Sequence, residues 1–297
     1  MTTEKILLEG NLLPHHLPLL LMDEAEQKME WITPVSQDGS LDPLVEGNVN
    51  YAVARPMNLV SEVLNASSIK GIARFFHTDC GIIYRTDSDL DSPSDLKNHT
   101  VGYRQISEQN VDPLLIRAIR KDGGEPENNW SLEAVPEKPF EALNEGKIDL
   151  LLPGWIVPDG IRMQLRGING DFWHFSDYDI PANGDLILIT TQDHVEANPN
   201  KILNFVHSVH QSLKEIRLNS DQALKYYKKQ RPDIADNPET TALVQTTIDG
   251  FTDVFSQDYA TYSSWSTFFN EETDVEGLVD IDQLIDERFL PVDAMSF

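Results

Sequence analysis

The feature that most constrains this chain is a short passage that occurs twice. Glu46-Gly47-Asn48-Val49-Asn50-Tyr51-Ala52-Val53-Ala54-Arg55-Pro56 is echoed by Glu145-Gly146-Lys147-Ile148-Asp149-Leu150-Leu151-Leu152-Pro153-Gly154-Trp155. In both, a helix should end at the glycine, which takes the left-handed capping conformation without a Cβ penalty. A short apolar strand follows. A proline then marks a loop at the strand's carboxyl end. The segments ahead of the two copies also correspond, 35–44 leading into the first and 135–143 into the second. One strand–helix–strand unit used twice predicts two α/β lobes. Ligands of open α/β sheets bind just beyond the carboxyl ends of the strands. Two such lobes facing each other would therefore enclose a cleft.

A chain of 297 residues can bury the cores of one large or two medium domains. Its 49 acidic and 23 basic residues give a net charge of −26, dispersed along the chain rather than gathered in a tail. Such a surface repels nucleic acid and anionic membrane, which excludes both as main partners. Residues 1–10 lack a basic start, an apolar run and a cleavage site, so they do not read as a secretory signal. The apolar run 17–22 is too short to cross a bilayer, so no membrane insertion is expected. The chain has one cysteine, Cys80, which excludes an intramolecular disulfide. These features predict a cytoplasmic protein, or a periplasmic or cell-surface one if a leader has been removed.

Strands are expected at 5–9, 30–34, 50–54, 69–76 and 80–85, with helices at 15–28 and 56–64. The second of the apolar runs 69–76 and 80–85 should leave the first lobe. In the second lobe the strands are 100–103, 130–135, the repeated strand and 171–175, with helices at 113–121 and 159–165. The β-rich run 185–191 carries the chain back. Helices follow at 199–216, 221–230, 238–249 and 259–270. In the first of these Ile202, Phe205, Val206, Val209 and Leu213 recur at helical spacing and read as core. The expected lobes are 1–84 plus 185–297, with the C-terminal helices, and 86–183, joined by extended crossings near 81–86 and 180–187.

At this point the chain resembles a known family. The residues that carry the likeness are the proline- and histidine-containing loop 11–18, Gln37-Asp38-Gly39-Ser40, 46–54, Ser94-Asp95-Leu96-Lys97-Asn98-His99-Thr100-Val101-Gly102-Tyr103 and 142–149. Tyr178-Asp179-Ile180-Pro181 with Leu186-Ile187-Leu188, and Arg288-Phe289-Leu290-Pro291, complete the order. Their spacing is similar to that of the type II periplasmic-binding-protein fold. The branch is that of sulfonate-binding proteins, thiamine-pyrimidine-precursor-binding proteins and yeast-type hydroxymethylpyrimidine phosphate synthases. The resemblance covers most of the chain. It implies an α/β protein of two Rossmann-like lobes, joined by two crossing strands, closing on a small molecule. Exported members carry a leader, which this chain lacks. The synthase branch carries a clustered-cysteine motif, and this chain has only Cys80. The reading is therefore a leaderless, non-catalytic binding protein without a cofactor, whose ligand is small, polar and at least partly anionic. Two alternatives stand beside it. One is a thiamine- or pyrimidine-precursor biosynthetic enzyme of the same fold. The other is the receptor of an ABC transporter with its leader removed, for which an ABC permease would be the partner.

Loops at the strands' carboxyl ends supply the candidate ligand-binding residues. In the first lobe these are Asn11, His15, His16, Asp38, Ser40, Arg55, Arg74 and His77. In the second they are Arg104, Ser107, Gln109, Gly154 and Trp155. Arg55 and Arg104 each follow an apolar strand and precede a helix start, where free N–H groups favour an anion. One arginine per lobe is expected to clamp an anionic group, with Trp155 stacking on the remainder. Tyr84, Tyr103 and Asn183 stand behind these. Cys80 reads as a buried apolar residue near a crossing. Adjacent His15 and His16 point in different directions, without a cysteine or carboxylate at ligand spacing, so no metal site is assigned. No nucleophile elbow, phosphate loop or paired-carboxylate motif is found, and no catalytic residue is assigned.

Overall fold

The central strands of two sheets are apolar runs too long to alternate, buried on both faces. The computed structural model describes residues 3–10, 12–24, 29–34, 39–127, 129–234, 236–251, 255–273, 275 and 277–292. The first part comprises β1 (Glu4–Leu7), α1 (Leu17–Glu24), β2 (Met29–Ile32), α2 (Asp42–Val45), β3 (Tyr51–Ala54), α3 (Pro56–Leu64) and β4 (Ile69–Phe76). Then come β5 (Cys80–Arg85), β6 (Thr100–Tyr103), α4 (Val111–Lys121), β7 (Ser131–Ala134), α5 (Pro139–Asn144), β8 (Leu150–Trp155), α6 (Ile156–Arg166) and β9 (Gly170–His174). The chain returns through β10 (Leu186–Thr191) to α7 (Gln192–Ala197), α8 (Pro199–Leu218), α9 (Ser220–Gln230), α10 (Pro238–Asp249), α11 (Tyr259–Glu272) and α12 (Ile281–Leu284).

The sheets have the orders β2-β1-β3-β10-β4 and β7-β6-β8-β5-β9. In each, four strands run in one direction and the fourth in order, β10 or β5, runs antiparallel to both neighbours. That fourth strand is the one arriving from the other lobe. The architecture is the two-lobed α/β arrangement of periplasmic-binding-protein folds. The two repeated helices end as expected: Gly47 and Gly146 have φ of +75° and +67°.

The strand Cys80–Arg85 corrects one expectation. The reading placed 80–84 in the first lobe and a crossing at 81–86. The strand is instead bonded between β8 and β9, with Gly81 opposite both Gly154 and His174. The first crossing is therefore 77–79, and the second runs through 175–185. The predicted helix 15–28 begins as a 3-10 turn at Pro14–His16, and α1 starts at Leu17.

The C-terminal helices share the first sheet's core. Ile202, Phe205, Val206 and Val209 of α8 pack with Ile6, Val53 and Phe75. Truncating a buried aromatic such as Phe205 to alanine would cost about 3–5 kcal/mol. This packing supports β1 and β3, the strands that lead to Glu9 and Arg55.

Candidate functional site

Arg55 and Trp155 occupy equivalent places in the two lobes. Each is the extended N-cap residue of the helix that follows a repeated strand, α3 or α6. The two face each other, with the Arg55 Cζ 3.5 Å from the centroid of the Trp155 ring. Arg55 is 3% exposed. Its Nη1 donates to the carbonyls of Gly184 (3.0 Å) and Asn183 (3.5 Å) in the second crossing. Burial pushes the guanidinium down to about 10, with Glu9 opposing, so it stays charged at neutral pH. Among the described residues the nearest carboxylate is Glu9, 3.9 Å away, and the Arg55 Nε has no hydrogen-bond partner.

Glu9 follows β1 and is held by the two histidines. Leu13 N–H donates to His16 Nδ1 (3.0 Å), so the proton of the neutral ring sits on Nε2, which donates to Glu9 Oε2 (2.7 Å). His15 Nε2 lies 2.5 Å from Glu9 Oε1, out of line for a hydrogen bond. Burial alone would raise the Glu9 carboxyl, but the two imidazoles packed against it outweigh that and hold it well below the usual range. Glu9, His15 and His16 converge closely enough to surround a cation. The His16 tautomer argues against that chemistry, because a protonated Nε2 has no lone pair to give a metal.

In the second lobe the order comes from Asp159, in the first turn of α6 and fully buried. It accepts from Arg104 Nη2, from Arg162 Nη1 (2.7 Å) and from the Trp155 amide (2.8 Å). The Trp155 indole donates to Gln105 Oε1 (3.1 Å). Two small, partly open spaces lie where the lobes meet. One of about 20 Å³ touches Leu13, His15, Arg55, Phe76 and Trp155, and one of about 10 Å³ touches Glu9, Ser40, Arg55 and Gln105. Each has room for about one water.

The structure thus brings His15, His16, Arg55 and Trp155 together, with Ser40 at the edge. It places other expected residues elsewhere. Arg74 and His77 bind Asp185 across the two crossings, at 3.3 and 2.7 Å. Ser107 and exposed Gln109 line an open groove of about 170 Å³ beside Ser40 and Asn58. Gly154 serves packing rather than a ligand, since a Cβ there would lie 2.5 Å from Ile83 Cγ1. The two-arginine clamp is corrected as well. Arg104 is ion-paired to Asp159 within its own lobe, and the first free amide of α3, Met57 N–H, is taken by Asn183 Oδ1 (3.1 Å). Asn11 and Asp38 lie outside the described residues. Sequence reasoning missed Glu9 and Asp159. The rule that selected Arg55, a polar residue just past an apolar strand, also selects Glu9 at the end of 5–8. Asp159 carried the signal of an acid in a helix's first turn.

Two lobes joined by two crossings, with a buried polar set between them, make up the two-lobed α/β fold of periplasmic-binding proteins. Within it, residues 24–223 match the model of the NMT1/THI5-like family, and the chain belongs to that family. Over 143 residues it is 24% identical to a formylaminopyrimidine-binding protein of Halalkalibacterium halodurans, a match covering 48% of this chain and 42% of that relative. A solved protein of Bordetella bronchiseptica RB50 superimposes with a TM-score of 0.74 at 16% identity, covering 97% of this chain and 96% of that one. The periplasmic aliphatic sulphonate-binding protein SsuA of Escherichia coli does so with 0.67 at 16% identity, covering 96% and 92%. At such identities the likeness shows the fold.

Proposed function

We propose that the protein binds a small polar molecule, bearing at least one anionic group, between its lobes and releases it unchanged. The observation that supports this is Arg55, a buried guanidinium in the cleft with, among the described residues, no carboxylate at hydrogen-bond distance and an unpaired Nε. Buried polar atoms without partners are costly, and an anion at this point would supply the missing acceptor. A flat part of the ligand would lie on Trp155 in the place of the Arg55 guanidinium, and Glu9 would accept its N–H donors. The relative named for binding formylaminopyrimidine fits the flat, N–H-bearing part, and the sulphonate-binding neighbour fits the anionic one. The bodies that move are, on this reading, the β1–β4 and β10 sheet with the C-terminal helices, and the β5–β9 sheet. They pivot at 77–79 and 183–185. A transport role would add an ABC permease as the partner receiving the ligand.

The enzyme alternative gains nothing from Cys80. Burial pushes its thiol up to about 12, so it is no nucleophile at neutral pH. The test is native mass spectrometry of the freshly purified protein, then calorimetry of the compound found against Arg55→Ala and Trp155→Ala. Both variants should bind more weakly, Arg55→Ala by about 2–5 kcal/mol if its partner charge stays buried. Undiminished affinity in both, or turnover of the compound, would overturn the proposal.

A further inference from the structure

Helix α10 lies beyond the family match at 24–223 and forms one side of the space where Arg55 meets Trp155. Positions 239, 243 and 247 recur every four residues and so share one face of the helix. At one end of this stripe Glu239 accepts from Nε and Nη2 of Arg166 on α6, at 2.7 and 2.9 Å, a bidentate pair between a C-terminal helix and the second lobe. Further along, Leu243 and Thr247, each 6% exposed, line the cavity with Phe76 and Trp155. The adjoining face, with Val244 and Ile248, sits in the core shared with the first sheet. The helix is therefore rooted in one lobe and ion-paired to the other. Glu239 also lies 3.8 Å from Arg162 Nε, and Arg162 holds Asp159, which holds the Trp155 amide. The wall and the aromatic platform belong to one chain of charges.

We propose that α10 is the selectivity wall of the cleft. Leu243 and Thr247 limit how large a substituent the bound molecule carries beside Trp155, and Glu239 docks the wall against α6. This rests on the reading of the cleft as a ligand site. A branched side chain in contact with the cavity excludes by volume, and removing it admits a longer apolar group.

The first measurement needs no ligand: acrylamide quenching of Trp155, read as the difference from the matching Trp155→Phe protein. Leu243→Ala and Glu239→Gln should each raise that quenching several-fold with the circular dichroism spectrum unchanged. Equal quenching would overturn the wall. The second is calorimetry with methane-, ethane-, butane- and hexanesulfonate and aminopyrimidine. Leu243→Ala should bind the longer sulfonates about tenfold tighter than the parent protein, leaving methanesulfonate unaffected. Binding with an unshifted order of preference would overturn the selectivity role while leaving the ligand site intact. Failure of every probe to bind any of the proteins, with no compound co-purifying, would bring down the ligand reading and the selectivity role together.

Discussion

Asp159 stands between three donors, two guanidinium groups and the Trp155 amide, with no solvent to share the charge. Removing one member of a buried ion pair leaves the others uncompensated, which costs more than the pair contributes. Asp159→Asn, nearly isosteric, should therefore lose about 3 kcal/mol in urea denaturation. His15 shows a different effect. Burial pushes its imidazole down to about 4, with Glu9 opposing and the charges of His16 and Arg55 reinforcing. In the unfolded chain the ring titrates near about 6.5. Between those two values the unfolded chain binds a proton that the folded one does not, so stability falls as pH falls, by about 1.4 kcal/mol per unit. Glu9, held low, adds its own loss only below about 4.5, its unperturbed value. His15→Gln should flatten the stability profile between about pH 6.5 and about pH 5, measured by denaturant melts. An unchanged slope would mean that His15 is solvated in the folded state.

The crossings are the elements on which lobe movement depends, and their packing is close. A Cβ at Gly184 would lie 1.3 Å from the Thr78 carbonyl oxygen, so the two strands touch backbone to backbone. Gly184→Ala should be strongly destabilising, because the obstacle is backbone and cannot rotate away. Gly160, inside α6, has only a Phe172 ring carbon at 3.7 Å. Gly160→Ala should stabilise by about 0.5–1 kcal/mol through the smaller entropy of the unfolded chain. A thermal melt of the two variants, shifting in opposite directions, checks both. The same crossings carry half-exposed His77. Its hydrogen bond to Asp185 raises its pKa against partial desolvation. That bond contributes fully below about 6.5 and is lost as pH rises through the raised value, opposite in sign to His15.

At the scale of the molecule, a net charge of −26 opposes compaction. The second lobe is tied to the C-terminal helices at two flanks. Arg166 meets Glu239 on one, and Arg117 and Arg120 meet Glu271 and Glu272 on the other. Each pair keeps at least one partner partly in solvent, so salt screens it, whereas screening the distributed repulsion of the whole surface gains more. Raising NaCl from about 0.01 to about 0.15 M shortens the screening length from about 30 to about 8 Å. The melting temperature should rise over that range by differential scanning fluorimetry. A fall would mean that the flank pairs outweigh the repulsion.

The sequence by itself determined the elements that depend on local chemistry. Gly47 and Gly146 ended their helices, Pro56, Pro199 and Pro238 began theirs, and the doubly apolar β3, β8 and β10 could be buried only between covering layers. The repeated unit made two lobes the consistent architecture. Only the tertiary structure decided partners. Cys80–Arg85 was legible as a strand, but which sheet it joins depends on β8 and β9, whose pairing is a property of the whole lobe. Arg55 was legible as a cation beyond a strand, yet its acceptors are carbonyls of residues 183 and 184. With 49 carboxylates in the chain, nothing local chose Asp159 for Arg104 or brought Glu9 within reach of two histidines. Conformational preference acts over a few residues. Charge pairing acts over a few ångströms, and only the fold decides which distant residues come that close.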